Sequence, residues 1–459
     1  MKNLYRISDL FIIFSAIIAT LSCNKSDFLS AKTNQSLVVP QTISDFQAIL
    51  DNLNYMNGEG TYGRPMIGLM ASDDYYMLDA DYNSRSQWMR NVYLWQSFPY
   101  TGVDLPDWDY PYRTIYYANS ALEGISGIAP NSDNKSAWEN VKGSALYFRA
   151  FANFELCQLF CPVYDSASME TDLGLPLRLS ADANEPLSRS NIKKTYEQIL
   201  NDLSEALRFL PKMVAYKTRP SIGAAYGLLG RVYLNMGSYK NAFLYADSCL
   251  SLQHSLIDYN TLSSSSTYPI VQYNQEVVID HNFYDANNSV EKVDTTLYNL
   301  YEANDLRKSL YFKQFGATSD HRFYGSYTES SLRFSGISVN EMLLIRAECN
   351  ARLAHLTSAL DDLNELLINR YKSGTYTAYY SSESQDVLNK ILLERRKELV
   401  FRNIRWQDLR RLNKQSHSIT IKRIIGGATY ALSPHDSRYV FPIPDNVISL
   451  NPQIIQNEY

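Results

Sequence analysis

Apolar residues recur at helical spacing along most of this chain, in stretches that come in pairs. Ser44-Asp45-Phe46-Gln47 has the spacing of a capping box, and Ile49, Leu50 and Leu53 follow on one helical face. Residues 112–123 predict a second helix, stopped at Gly124. Residues 138–160 predict a third, apolar around so much of its circumference that it must be largely buried. A fourth runs over 192–210 until Pro211. Two later stretches predict helix–turn–helix units. Residues 224–234 turn at Met236-Gly237-Ser238 and resume over 239–252, with Ala242 and Ala246 one turn apart. Residues 341–353 and 357–371 repeat the arrangement, with Ala347, Ala351 and Ala359 as small contacts. The fold class is therefore mainly α, with degenerate tetratricopeptide-like helix pairs as scaffold. Such an array says how the chain packs and nothing about chemistry.

The segments between the helices differ in character. Residues 54–111 carry many glycines and prolines with aromatics scattered among them, and residues 254–336 combine a serine run with short pieces such as Val277-Val278-Ile279. Long irregular segments in a compact domain are usually functional or disordered, and aromatic content favours order. These loops, with a few short strands, are expected to form a ligand face.

A short apolar run, residues 10–21, follows Lys2 and Arg6 and ends at Ser22-Cys23. It is shorter than the roughly 20 apolar residues a permanent span requires, and it reads as an export signal. Leu21-Ser22-Cys23 resembles the lipobox of bacterial lipoproteins, which predicts residues 1–22 as a cleaved signal and Cys23 as the lipidated N-terminus, with a polar tether behind it. The alternative is an ordinary secretory signal with a chance cysteine. Net charge is −5, which argues against nucleic acid. Four further cysteines remain. Cys157 and Cys161 lie one helical turn apart, but no histidine nearby completes a zinc set, so Cys157, Cys161, Cys249 and Cys349 read as buried free thiols. No metal and no cofactor is implied. The chain holds 36 Tyr against 5 Trp, and tyrosine suits a wet recognition surface as well as a core edge.

Glu394-Arg-Arg-Lys-Glu-Leu399 followed by Arg405-Trp-Gln-Asp-Leu-Arg-Arg411 is the densest charged stretch. Glu394 with Lys397 and Arg395 with Glu398 stand at i,i+3, which supports a helix. Arg402, Arg405, Arg410 and Arg411 read as internal ion pairs and packing contacts in preference to a phosphate site.

Three stretches together resemble the SusD/RagB family of Bacteroidota surface lipoproteins. They are this charged helix pair, the tail from Phe441-Pro-Ile-Pro to Gln456-Asn457, and an N-terminal set of Cys23, Asp27-Phe28-Leu29, Ser72-Asp73-Asp74 and Tyr112, Ile115 and Asn119. The chain departs from the family at Arg402-Asn403, where Glu-Gly is usual. With the helix pairs, the resemblance spans nearly the whole of residues 23–459, read as one body with an N-terminal part over 23–253 and a C-terminal part over 254–459.

The resemblance implies a lipid-anchored outer-membrane protein, facing the cell surface, that binds a nutrient and passes it to a SusC-like TonB-dependent transporter. Its ligand would be an oligosaccharide or, in some branches, a peptide. A glycan binder needs aromatic faces for sugar C–H surfaces and polar side chains for hydroxyls. Residues 73–110 supply that mixture in Asp73, Asp74, Tyr75, Asn83, Arg85, Trp88, Trp95, Tyr100 and Trp108, with Tyr273, Tyr284 and Tyr324 as a second wall. Core packing is the alternative for each aromatic, above all for Trp108. A glycosidase would need two facing carboxyls; Asp73/Asp74 and Asp107/Asp109 exist, but sequence neighbours do not establish a facing pair, and no HExxH, GxSxG, P-loop or dinucleotide fingerprint occurs. The chain is therefore not expected to be an enzyme.

Overall fold

In the computed structural model of the protein, residues 39–59, 64–316, 318–415 and 417–459 are described. The signal run, Cys23 and the tether lie outside them. Residues Thr42–Tyr459 cluster as one unit, and ten helices of eight or more residues stand among the described residues. They are α1 (Ile43–Leu50), α2 (Pro106–Ser126), α3 (Lys135–Phe160), α4 (Ile192–Ala206), α5 (Ile222–Asn235), α6 (Tyr239–Leu252), α7 (Val339–Arg352), α8 (Leu356–Ile368), α9 (Ser384–Glu398) and α10 (Arg405–Lys414). From α2 to α8 each helix packs on the one that follows it, and α9 packs on α7. Consecutive stacking of this kind is consistent with the expected repeat-like pairing.

The helix starts and stops have local causes. The capping box of α1 is Thr42 with Asp45, two residues earlier than the Ser44–Gln47 spacing predicts: the Thr42 amide donates to the Asp45 carboxylate and the Asp45 amide to the Thr42 hydroxyl. Asn191 and Ser221 cap α4 and α5 in the usual way, by accepting from the third residue on. α2 begins six residues earlier than expected, with Pro106 at its first position where no backbone donor is needed. It also runs through Gly124. A Cβ there would lie 2.1 Å from the Phe46 ring, so this glycine is the socket that seats α1 on α2.

The segment 54–111 is not irregular. It holds short helices at Leu53–Met56, Ile67–Ala71, Asp79–Asn83 and Gln87–Tyr93, each too short to display a period. Among the described residues, five two-stranded antiparallel ribbons accompany the helices. β1 (Tyr75–Tyr76) pairs with β4 (Lys292–Val293), β2 (Val277–Ile279) with β8 (Ile337–Ser338), and β3 (Asn282–Phe283) with β7 (Arg333–Phe334). β5 (Phe312–Gln314) pairs with β6 (His321–Phe323), and β9 (Ile421–Ile425) with β10 (Ala428–Leu432). Except in β9–β10 and β5–β6, each ribbon joins segments far apart in sequence. Among the described residues no helix is long and apolar enough to cross a membrane. Cys157, Cys161, Cys249 and Cys349 are all buried and unbonded.

The charged helices are interior. Arg307 has no exposed side-chain surface and bridges Asp305, Glu394 and Glu398; Arg370 joins Glu398 to Glu276. Lys397 pairs with Glu394 as its spacing predicts, but Arg395 turns away from Glu398 to Asp408, which Arg411 also holds. Arg402 donates to Ser338 and Asn340 over the Tyr327 ring, and Arg410 donates to the carbonyls of Gln158 and Cys161. Burial raises the pKa of Glu398, but Arg370 and Arg307 outweigh it and bring the carboxyl down to about 2. Glu394 and Asp408 are likewise held near 2 by the arginines and lysines around them.

Candidate functional site

Ribbons β3–β7 and β5–β6 present a cleft of about 260 Å³ between the loop that leaves β3 and the loop that follows β6. Tyr268, Tyr284 and Tyr324 line it, with Asn288, Arg322 and Ser331 between them. The Tyr268 and Tyr324 rings lie 5.8 Å apart and tilted by 47°, so they present two angled faces. Tyr284 is 41% exposed. Among the described residues none reaches the hydroxyl of any of the three with a hydrogen bond, whereas the phenols of Tyr75, Tyr100, Tyr112 and Tyr301 are all engaged.

Arg333 fixes the floor. Fully buried on β7, it donates to the Phe323 carbonyl at 3.0 Å and to Asn288 Oδ1 at 2.9 Å, and it pairs with Asp285 and Glu291. One guanidinium therefore holds both loops, and the side chain of Asn288 is oriented before any ligand arrives. Behind the same loop Asn287 donates to the Tyr75 hydroxyl at 3.0 Å. Arg85 reaches the Ala286 carbonyl at 3.4 Å, which puts it at the edge of the cleft.

Of the residues expected to touch ligand, only Tyr284 and Tyr324 line this cleft, with Arg85 beside it. Several others are structural. Asp73 pairs with Arg405 and Arg396, and Asp74 accepts from Arg396 and from the Phe401 amide. Burial raises the Asp73 pKa, yet the two arginines hold it well below the usual carboxylate range. Tyr75 is buried on β1 and supports the cleft loop from behind. Trp95 is 1% exposed and donates its indole N–H to the Ala71 carbonyl at 3.0 Å. Tyr100 is buried with its hydroxyl on the Pro442 carbonyl, and Trp108 packs between Tyr112 and Phe160. The physical reason is placement: these residues sit in turns, on the two-residue strand β1 or in the first turn of α2, where the sequence shows no period, and long-range contacts engage or bury them all the same.

The remaining candidates stand elsewhere. Asn83 is exposed at the end of the short helix Asp79–Asn83. Trp88 lines a separate hollow of about 440 Å³ with Asn91 and Phe98. Tyr273 donates to Glu59 at 3.2 Å and is not part of the cleft. Sequence reasoning missed Tyr268, Arg322, Asn288 and Ser331. The signal available for them was weak: a tyrosine just after a serine run, and polar residues flanking the two tyrosines already singled out.

Of the larger hollows, the one of about 440 Å³ also gathers aromatics in Trp88, Phe98 and Tyr100, but the Tyr100 hydroxyl is spent on the Pro442 carbonyl. One of about 850 Å³, beside α1 and α3, is walled mainly by helix polar residues and by Met213. Another of about 410 Å³ encloses the Asp73–Arg405 pair, whose charges already satisfy each other. No facing pair of unengaged carboxyls emerges from the expected acids. Asp107 Oδ1 accepts from the Met66 and Ile67 amides in the core, where burial pushes its pKa up to about 6.

Two family models together match the chain almost end to end. Residues 27–234 match one described as starch-binding associating with outer membrane, and residues 231–459 match the model of the SusD family. The two matches meet inside α5. "SusD-like protein P2" of Formosa agariphila is 25% identical, covering 81% of this chain and 84% of that protein; "SusD-like protein P38" of the same organism is 24% identical over 78% and 80%. Among solved structures, a SusD superfamily protein from Bacteroides thetaiotaomicron superposes with a TM-score of 0.72 at 21% identity, covering 91% of this chain and all of that one. A SusD-like carbohydrate binding protein from Bacteroides vulgatus superposes with a TM-score of 0.70 at 20% identity, covering 90% and 98%.

Proposed function

The chain belongs to the SusD/RagB family, and on that premise we propose that it captures an oligosaccharide at the outer membrane and delivers it to a SusC-like TonB-dependent transporter. The observation that carries the reading is the cleft itself: three tyrosines converge with hydroxyls that no described residue claims, over a floor that Arg333 has already ordered. Aromatic faces take the C–H surfaces of a sugar ring, and the free phenols, with Asn288 and Ser331, take its hydroxyls. A preformed site loses less side-chain freedom on binding, which favours affinity. The role in this reading is binding, since Asp73 and Asp74 are spent on arginines and Asp107 on the Met66 and Ile67 amides. Lipidation at Cys23 supplies the anchor in this reading, and a body of residues 23–459 faces the cell surface.

Calorimetric titration of the purified protein with a panel of oligosaccharides and peptides tests the ligand class. Tyr284→Ala and Tyr324→Ala should each lower affinity about tenfold while far-UV circular dichroism stays unchanged. Normal binding by both folded variants moves the site away from this cleft, and binding of peptides alone replaces the glycan. Affinity purification from detergent-solubilised outer membrane should bring down a large β-barrel protein. Its absence removes the transporter from the proposal.

A further inference from the structure

The cleft contains a cation with no ion-pair partner among the described residues. Arg322 is half-buried along its wall, with the guanidinium carbon 3.3 Å from the centroid of the Phe315 ring. One terminal nitrogen donates to the Ser289 carbonyl, but Nε is buried and has no partner, and no carboxylate of the described residues forms an ion pair with this side chain. The carboxylates near it make their bonds to other groups, although Glu291 also feels the Arg322 charge. Asp285 and Glu291 both serve Arg333, and Asp320 accepts from Tyr76.

Two further cations flank the same space under the same condition. The Lys313 ammonium lies 6.0 Å from the centroid of the Tyr324 ring and is bonded only to the Ser264 and Ser266 carbonyls. Arg85 bonds the Ala286 carbonyl and the Ser84 hydroxyl. The protein treats its interior arginines in two ways: Arg402, Arg410 and Arg423 are likewise held by carbonyls, polar side chains and rings without an ion pair, none of them lining this cleft, whereas others are answered by acids. Arg307, Arg370, Arg231, Arg333 and Arg411 each have a carboxylate within 3.0 Å or less. A half-buried guanidinium with unsatisfied donors is costly in isolation and is matched by a ligand that presents two oxygens and a negative charge.

Resting on the cleft's being the capture site, we propose that it selects acidic glycans, with Arg322 binding the oxygens of a sugar carboxylate or sulfate ester. Lys313 and Arg85 surround that group with positive potential, and the tyrosines hold the rings on either side. A uronate and a sulfate ester offer the same charge and oxygen spacing to a guanidinium, so the experiment separates them.

Affinity electrophoresis of the folded protein through gels containing polygalacturonate, alginate, chondroitin sulfate, carrageenan, soluble starch or laminarin provides the test. Retardation is expected in at least one acidic gel and in neither neutral one. The uronate-only gels tell the carboxylate from the sulfate. Arg322→Gln should weaken the acidic interaction about tenfold or more, Arg322→Lys should restore part of it, and raising the salt should weaken the wild type more than Arg322→Gln. Binding to starch or laminarin that Arg322→Gln leaves intact overturns the acidic selectivity while the glycan reading stands. Acidic binding indifferent to both Arg322 variants overturns the assignment of this residue. Retardation in no gel overturns the glycan reading and the selectivity with it.

Discussion

Two regions of this molecule treat polar side chains in opposite ways. Around α9 and α10, charged groups are withdrawn from water and answered inside the protein: Glu398 takes Arg307 and Arg370, Glu348 takes Arg411 and Arg352, and Asp408 takes Arg395 and Arg411. In the cleft between β3 and β6, three phenols and a guanidinium are left with bonding capacity that no described residue uses. The first arrangement makes the body rigid and specific in its packing. The second is what a recognition site needs, since donors already matched within the protein have nothing to offer a ligand.

The sharpest way to break the contrast is to remove the centre of the charged region. Arg307→Ala leaves Asp305, Glu394 and Glu398 facing one another in the interior, and it should cost about 4 kcal/mol or more of stability in urea unfolding. Trp95→Ala comes next, at about 3–4 kcal/mol, from the lost volume and the lost bond to Ala71, with ligand affinity of the folded fraction unchanged. Acid acts on the same region more gradually. Glu398 has a folded pKa near 2, below its ordinary value of 4.5, so its stabilisation is present above pH 4.5 and is lost as the pH falls from there towards 2. Thermal melts of the wild type should fall through that window, and Glu398→Gln should show a shallower fall. Tyr324→Ala is the smallest change in stability, within about 0.5 kcal/mol, because its hydroxyl and one face meet no core partner. It should nonetheless weaken ligand binding about tenfold. A variant set in which cleft substitutions unfold the protein and network substitutions weaken binding would invert the comparison.

The sequence made the long helices legible because an apolar stripe of four turns is hard to mistake. Errors arose where tertiary contact overrides a local signal. Gly124 reads as a stop, but it continues α2 because Phe46 needs the space above it. Pro106 and Pro111 read as loop, yet one opens α2 and the other is carried within it. The charged run over 394–411 was legible as structure, and Lys397 with Glu394 matches its spacing, but its depth was not. Binary patterning sends charges to the surface and has no means of knowing that they answer one another inside. The cleft was half legible. Tyr284 and Tyr324 stand out as aromatics without a period, whereas Tyr268 and Arg322, though close to them in the chain, are brought to the cleft by ribbons of two or three residues that carry no local pattern. Trp95, Tyr100 and Trp108 looked alike on paper and turned out to be core.

One pair of contacts bears on how the chain acquires its structure over time. Asp73 meets Arg405 across 332 positions, and Asp74 meets the Phe401 amide across 327. A ribosome makes the acidic partners early and the basic ones near the end. Until residues 396–405 have been added, the segment around β1 carries two acids without these counterparts, and its ribbon partner β4 comes only at residue 292. Contacts of such sequence separation form slowly because the loop entropy is lost before the reward arrives. The segment around β1 therefore reaches its final contacts only once the late half exists, whereas the early helices find their partners among their neighbours in the chain.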